Sequence, residues 1–137
     1  MDFITHLRDR RLKVTPQRTS ILKILSRHTH PNIEELYEEI RKEFPTISLA
    51  TVYKNLNILK QTGMVLEING NISKPRLDIY THPHAHIVCK NCGAIEDADF
   101  MKSIHKYKRE LKKSTLYEIT QLDVVVVVAC CKHCKKN

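Results

Sequence analysis

The stretch of sequence that decides the fold is Ser48-Leu-Ala-Thr-Val-Tyr-Lys-Asn-Leu-Asn-Ile-Leu-Lys-Gln-Thr-Gly63. Ser48 is a favourable helix N-cap, and Gly63 suits the left-handed residue that often follows a last helical turn. Apolar residues at helical spacing predict a buried face, made of Leu49, Val52, Leu56 and Leu59. The opposite face carries hydroxyl, amide and cationic groups that suit base edges and phosphates, namely Thr51, Tyr53, Lys54, Asn55 and Lys60. The stretch predicts a recognition helix, with an ordinary amphipathic helix as the alternative.

Three helices are predicted before this stretch, and a β-hairpin is predicted after it. The helix signals are, in order, Asp2, Thr15-Pro16 up to His28, and Asn32 up to Phe44-Pro45. They combine capping residues with prolines at the first turn or after the last one. Two strand-like segments follow at residues 65–69 and 76–80, separated by a turn-rich tip at residues 70–75. Residues 1–80 are therefore predicted to form a winged-helix DNA-binding domain.

The charge of the chain suits a polyanionic partner. Lys and Arg number 23 against 15 Asp and Glu, so the formal net charge is +8; a basic protein without such a partner is the alternative. Residues 1–27 contain seven of the basic side chains and only two acidic ones. A basic segment ahead of a recognition helix can contact phosphates. The candidate contacts to double-stranded DNA are Lys13, Arg18, Ser48, Thr51, Tyr53, Lys54 and Asn55.

Neither a leader peptide nor a membrane span is predicted. Residues 1–11 are charged, unlike a signal peptide. The longest wholly apolar run, residues 124–131, is far shorter than the roughly 20 residues that cross a bilayer. We therefore predict a cytoplasmic protein. In that reducing compartment, cysteines favour metal ligation over disulfides.

Four of the five cysteines form two pairs with metal-ligand spacing, Cys89/Cys92 and Cys131/Cys134. Two Cys-x-x-Cys pairs predict a tetrahedral, structural Zn²⁺ site. The alternative, a thioredoxin-like redox pair, requires a strand and a helix around the motif, which the residues after Cys134 do not provide. Cys130 is predicted to be a small packed residue, and His133 to lie on the surface.

The residues between the two cysteine pairs predict a strand, a helix with a basic face at residues 101–113, and a further strand within residues 116–129. The last segment contains five consecutive valines, which suit a strand buried on both sides. Pairing with a second copy would bury it, so we expect a homodimer, which also matches the two-fold symmetry of operators. Residues 81–137 are predicted to be a metal-binding dimerisation domain, which makes the chain α+β.

A second metal site is predicted from His82, His84 and His86, which alternate along the chain before Cys89. In an extended strand these side chains share one face, and Cys89 lies on the other. Imidazole with carboxylate suits Fe²⁺, Mn²⁺, Ni²⁺ or Zn²⁺, whereas solvated histidines in a polar linker are the alternative. The nearby carboxylates are Asp78, Glu96, Asp97 and Asp99. The histidines predicted to be solvated bystanders are His6, His28 and His105.

Six motifs together resemble the ferric uptake regulator (Fur) superfamily, from about residue 8 to residue 135. They are Lys13-Val-Thr-Pro-Gln-Arg18, His30-Pro31, Ser48-Leu-Ala-Thr-Val-Tyr53, Arg76-Leu-Asp78, His84-Ala-His86-Ile-Val-Cys89 and Cys131-x-x-Cys134. The resemblance implies a dimeric repressor of AT-rich, inverted-repeat operators, with structural zinc on the four paired cysteines. It also implies a regulatory Fe²⁺ or Mn²⁺ site, whose ligands would be His30, Asp78, His84, His86 and Asp97.

The resemblance is closest to the peroxide-sensing branch, because Asp97 stands where iron-uptake regulators usually carry Glu. In that branch, peroxide oxidises a ligand histidine when Fe²⁺ is bound, and His30 and His84 are the matching positions. The alternative within the family is an iron-, manganese- or zinc-responsive repressor without oxidation chemistry. A one-residue shift in alignment would place Glu96 at the deciding position.

A mechanism follows from the predicted position of the regulatory ligands in both halves of the chain. A shared ion would restrain a hinge at residues 80–83, and only one hinge angle would place two recognition helices in major grooves about 34 Å apart. A zinc hydrolase or redox enzyme is the rival class. It would need an open coordination position and a general base in a cleft. No such motif is present, so we do not expect an enzyme.

Overall fold

A computed structural model describes residues 2–69, 74–80, 84–99 and 101–134. The helices are α1 (Phe3–Asp9), α2 (Pro16–Leu25), α3 (Ile33–Glu43), α4 (Leu49–Gln61) and α5 (Met101–Thr115). The strands are β1 (Val65–Ile68), β2 (Arg76–Ile79), β3 (Ala85–Cys89), β4 (Ile95–Ala98) and β5 (Val124–Val128). Parts of two predicted features lie outside the described residues: the hairpin tip at 70–73, and the hinge at 81–83, which includes His82.

The chain divides into two compact units. The N-terminal unit comprises Met1–Ile68 and Lys74–Thr81, and the C-terminal unit comprises Asn69–Ser73 and His82–Asn137. The first contains four helices and a two-stranded sheet, and the second contains a three-stranded sheet and one helix. The chain therefore has the predicted α+β composition.

The helices of the N-terminal unit begin at the predicted caps. The side chain of Asp2 accepts from two backbone N–H groups of α1. Thr15 accepts from the Arg18 N–H at 3.2 Å ahead of α2. Asn32 forms a reciprocal capping box with Glu35 at the start of α3. These local bonds satisfy N–H groups that have no partner within the helix.

The recognition-helix stretch forms α4 with Ser48 as its N-cap, and Gly63 adopts the left-handed backbone with φ +76°. Val52, Leu56 and Leu59 are buried as predicted. The prediction for Leu49 was wrong, since it is 40% exposed. Leu49 is the first residue of α4, at an end of the helix that the core of this unit does not cover. That core joins the four helices to the β1–β2 hairpin, and includes Leu7, Ile21, Leu22, Leu25, Leu36, Ile40, Met64, Val65, Leu77 and Ile79.

The β1–β2 hairpin of the N-terminal unit is antiparallel, and Leu66 pairs with Asp78 in its register. Two backbone bonds tie it to the segments that precede α3 and β1. The Leu77 N–H donates to Pro31 O at 2.9 Å, and the Tyr80 N–H donates to Met64 O at 2.9 Å. Strand β2 is thereby held against the segment that connects α2 to α3.

The sheet of the C-terminal unit has the order β4-β3-β5, with β3 antiparallel to β4 and parallel to β5. The valine strand β5 therefore lies at a sheet edge. Val125, Val126 and Val127 are 37–45% exposed in the single chain, so their burial by a second copy stays a prediction. Residues 116–123 are not part of the strand, and Leu116 has φ +61°. Among the described side chains of α5, only Ile104 is buried. No helix in the described ranges is long and apolar enough to cross a bilayer.

Candidate metal centres and nucleic-acid interface

Four cysteine sulfurs converge at the end of the β-sheet in the C-terminal unit. Cys89 ends β3 and Cys92 lies in the turn after it, whereas Cys131 and Cys134 follow β5. The Sγ atoms are 3.2 Å apart for Cys89 and Cys134, 3.7 Å for Cys92 and Cys131, and 3.6 Å for Cys131 and Cys134. A tetrahedral ion with Zn–S bonds of about 2.3 Å would hold sulfurs about 3.8 Å apart. The four side chains therefore fit a structural zinc ion.

Hydrogen-bond donors surround these sulfurs. The backbone N–H of Cys131 and of Cys92 donate to Cys89 Sγ at 3.2 and 3.5 Å. The Asn91 amide donates to Cys134 Sγ at 3.4 Å. Gly93 adopts φ +74°, which any other residue rarely adopts and which lets the chain turn back into β4. The N–H donors to Cys89 and Cys134 stabilise the negative charge of the thiolates.

Hydrogen bonds and burial shift the pKa values of the cysteine thiols in opposite directions. Donation from Asn91, reinforced by the neighbouring Cys89 and Cys130 side chains, lowers the pKa of Cys134 to about 5. The Cys92 N–H lowers the pKa of Cys89. The Ala94 N–H also acts to lower the pKa of Cys92, but the Cys89 and Cys134 side chains and burial together raise it to about 12. Cys134 therefore loses its proton more readily than Cys92 does.

Cys130 does not belong to this group of four. The prediction that it is a packed core residue was wrong, because it is exposed. Its thiol interacts with Cys134, which raises the pKa of Cys130 to about 11. His133 lies on the surface as predicted, with 80% of its side chain exposed and Nε2 3.3 Å from Glu96 Oε1.

A second group in the C-terminal unit joins His84, His86 and Asp97. The His84 and His86 Nε2 atoms are 3.0 Å apart, and Asp97 Oδ1 lies 3.6 Å from the first and 3.3 Å from the second. Strand register explains the choice of carboxylate, because His86 pairs directly with Asp97 across β3 and β4. Glu96 pairs with Ile87 instead and contacts His133. Asp97, and not Glu96, therefore accompanies the histidine pair.

A third group lies in the N-terminal unit, around Asp78 of β2. Asp78 is fully buried, and its Oδ2 lies 3.6 Å from Nε2 of His30. The Ile79 N–H donates to Asp78 Oδ1 at 2.9 Å. The side chains of His30, Asp78, His84 and His86 are at most 5% exposed. Burial of that many ionisable groups is costly unless they have strong partners such as a cation, so both groups fit a divalent metal.

His28 is a residue of this third group that sequence reasoning missed. Its side chain is 39% exposed, as predicted, but it is not a bystander, because Nδ1 lies 3.2 Å from Asp78 Oδ1. The spacing His28-Thr-His30 repeats the alternation of His84 and His86, and that signal could have identified it. His105 is exposed, as predicted.

The candidate DNA contacts of the N-terminal unit lie on α2, α4 and the residues before them. Thr51, Tyr53 and Lys54 are exposed along α4. Ser48 Oγ is 2.9 Å from Thr51 Oγ1, in addition to its capping bond. Lys60, also on the predicted outer face, forms an ion pair with Glu67 at 2.5 Å. An α4 face that combines exposed hydroxyl and cationic groups suits a nucleic-acid interface.

Arg18 brings several of these candidates together. Its Nε donates to Asn55 Oδ1 at 3.0 Å, and its Nη1 donates to Lys13 O at 2.9 Å. Asn55 in turn donates from Nδ2 to Thr51 O at 3.0 Å. Candidates from three parts of the chain therefore form one hydrogen-bonded set.

Known proteins resemble this chain in sequence and in structure. Residues 9–127 match the model of the ferric uptake regulator family. The chain is 36% identical over 133 residues to the peroxide-responsive repressor PerR of Staphylococcus aureus strain Mu50, covering 96% of this chain and 88% of that protein. The Campylobacter jejuni peroxide stress regulator has a similar crystal structure, with TM-score 0.81 and 48% identity over 98% of this chain and 100% of that one. The Helicobacter pylori ferric uptake regulator, described as having three functional metal-binding sites, has TM-score 0.71 and 28% identity over 98% and 90%.

Proposed function

Because the chain belongs to the ferric uptake regulator family, we propose that it is a metal-dependent, DNA-binding transcriptional repressor that senses peroxide. Members of this family are dimeric, metal-responsive regulators of transcription. In this proposal the protein acts in the cytoplasm as a homodimer on an AT-rich, inverted-repeat operator. It is a regulator and not an enzyme.

The observation that carries the peroxide-sensing part is the position of Asp97 beside His84 and His86. The shorter carboxylate stands where the peroxide-sensing branch has Asp, and the β3–β4 register argues against a shift to Glu96. The likeness to two proteins named for their response to peroxide supports the same branch.

The chemistry of the donors supports the metals of the proposal. Four thiolates suit Zn²⁺ in a closed structural site. Imidazole with carboxylate suits Fe²⁺ or Mn²⁺. We propose that the regulatory ligands act together on one ion, as the family resemblance implies: His30, Asp78, His84, His86 and Asp97. Bound Fe²⁺ would supply the chemistry by which peroxide adds an oxygen atom to a ligand imidazole.

The protein side chains have distinct tasks in this proposal. The two imidazoles of the C-terminal unit and the His30–Asp78 pair of the N-terminal unit would restrain the orientation of the recognition helices through their shared ion. Loss of one imidazole as a ligand would remove this restraint. The free energy by which the ion favours the DNA-binding orientation cannot exceed the difference between its affinities for that orientation and for the alternative one. Lys13, Arg18 and α4 would then lose the arrangement that contacts DNA.

The proposal is tested by peptide mass spectrometry. The zinc-loaded protein is charged anaerobically with Fe²⁺, exposed to nearly stoichiometric hydrogen peroxide, and compared with a Mn²⁺-charged sample. We expect a gain of one oxygen on the peptide that carries His30 or His84, with iron only, together with loss of operator binding. Unmodified histidines and intact operator binding would instead identify a metal-responsive repressor without oxidation chemistry.

A further inference from the structure

The turn after α2 places two histidines in an unfavourable backbone conformation. His28 and His30 have φ of +55° and +52°, in the left-handed region that side chains other than glycine seldom adopt. Histidine and asparagine tolerate this region better than most residues do. Two such residues within three positions need support from the surrounding structure, and this kind of strain concentrates at functional sites.

The support comes from α2 and β2. The His28 N–H donates to Leu25 O at 3.0 Å, which ties the turn to the last residue of α2. The Arg76 guanidinium donates to His30 O at 2.8 Å, and the Leu77 N–H donates to Pro31 O at 2.9 Å. The turn is therefore held at both ends, within the N-terminal unit alone.

The turn brings the two imidazoles to different oxygens of the Asp78 carboxylate. His28 Nδ1 is 3.2 Å from Oδ1, whereas His30 Nε2 is 3.6 Å from Oδ2. The rings are not stacked, since their centroids are 6.5 Å apart and their planes are inclined by 57°. The Ile79 N–H also donates to Oδ1. Oδ1 thus accepts from the Ile79 N–H and lies beside His28, whereas Oδ2 lies beside His30.

We propose that His28 is a positioning residue for the regulatory metal, which it does not itself bind. In its Nδ1–H tautomer it donates to Asp78 Oδ1, and the carboxylate is thereby fixed with Oδ2 and His30 Nε2 directed to the same ion. Partners of this kind orient a ligand and raise metal affinity, and their loss typically weakens binding 10–100-fold. The inference rests on the proposed regulatory site, and it adds a residue outside the predicted ligand set.

Two variants separate the role of the imidazole from the strain of the turn. His28→Gly removes the side chain and suits a positive φ, so it relieves the backbone. His28→Asn also tolerates this conformation, and it keeps an N–H donor close to the position of Nδ1. His105→Ala is the matched control, because His105 is exposed on α5 of the other unit.

Each zinc-loaded variant is titrated with Mn²⁺, and the concentration of free Mn²⁺ is measured by electron paramagnetic resonance. Thermal unfolding of the same variants is measured in parallel. We expect His28→Gly to weaken Mn²⁺ binding by about 10–100-fold without lowering the unfolding midpoint of the Mn²⁺-free protein. His28→Asn should restore most of the affinity. Unchanged affinity in His28→Gly would overturn the proposal, and equal losses in both variants would indicate a direct ligand instead.

Two further samples separate failure of this inference from failure of the proposed function. Wild-type protein should bind Mn²⁺ beyond the zinc site, and His84→Ala should lose that binding. If the wild type binds no such Mn²⁺, the regulatory site itself is refuted, and the His28 inference is refuted with it. If wild type and His84→Ala behave as expected, the His28 variants decide the inference alone.

Discussion

Arg18 Nε donates to Asn55 Oδ1 over 3.0 Å, a bond that joins α2 to α4. Both ends of the Asn55 amide are engaged, because its Nδ2 donates to Thr51 O. The second guanidinium bond of Arg18, to Lys13 O, holds the residues that lead into α2. Arg18 therefore orients two other candidate DNA contacts, in addition to offering its own charge.

Arg18 and Asn55 are therefore expected to act as a unit in operator binding. Arg18→Ala and Asn55→Ala should each cost about 1–3 kcal/mol of operator affinity. Because they share one hydrogen bond, the double variant should lose less than the sum of the two. Fluorescence anisotropy with a labelled operator, at fixed metal and salt, measures this cycle. Strictly additive losses would show that the bond does not contribute to binding DNA.

His84→Ala should abolish metal-dependent operator binding while the structural zinc remains bound. The reason is that His84, which is buried, belongs to the group with His86 and Asp97 and not to the cysteine group. Zinc content by mass spectrometry and operator affinity with and without Mn²⁺ are the two measurements, and His105→Ala is the control. An unchanged operator affinity in His84→Ala at matched metal and salt would exclude the proposed restraint by the regulatory ion.

Cys131→Ser and Cys130→Ser form a matched pair that tests the choice of zinc ligand. Adjacent cysteines differ in that the Cys131 sulfur lies 3.7 Å from Cys92 and 3.6 Å from Cys134, whereas Cys130 is outside the group. Cys131→Ser should lose zinc and lower the thermal stability of the C-terminal unit, because zinc binding contributes folding free energy. Cys130→Ser should keep one zinc per chain. The reverse result would move the ligand assignment by one residue.

Zinc binding at pH 7 should release fewer than four protons. The pKa of Cys134 is about 5, so this sulfur is already a thiolate, whereas Cys92, with a pKa of about 12, must lose a proton to bind. As pH falls through about 5, Cys134 becomes protonated and zinc affinity should fall more steeply. Calorimetry in buffers of different ionisation enthalpy counts the protons. Asn91→Ala, which removes the donor to Cys134, should raise the number released; release of four by both proteins would contradict the account.

Val126→Lys should weaken homodimerisation. Val126 lies in the middle of the exposed edge strand β5 and is 45% exposed in the single chain. A charge there would have to be buried if a second copy covers the strand. Sedimentation velocity of the zinc-loaded protein gives the dimer dissociation constant, and Lys102→Ala, on the exposed face of α5, is a control. A dimer as stable as wild type would place the interface elsewhere.

Local sequence determined the helices and the cysteine site. Each N-cap acts on a backbone N–H two or three residues later, as Thr15 does on Arg18 and Ser48 on Thr51. Such short-range bonds can be read without knowledge of the rest of the chain. The Cys-x-x-Cys pairs are equally local, since each motif alone brings two sulfurs to one side. Motif order across the chain was enough to indicate the family.

Tertiary structure alone decided the features that depend on residues far apart in sequence. The β3–β4 register decided that Asp97, and not Glu96, lies beside the histidine pair. A shift of one residue in that register would turn every side chain to the other face of the sheet. The contact of His28 with Asp78 joins residues 50 positions apart through a turn with positive φ. No local propensity predicts either of these. The valine run shows the same limit, since its composition predicts a strand but not which surface covers it, and burial is decided by the neighbouring elements.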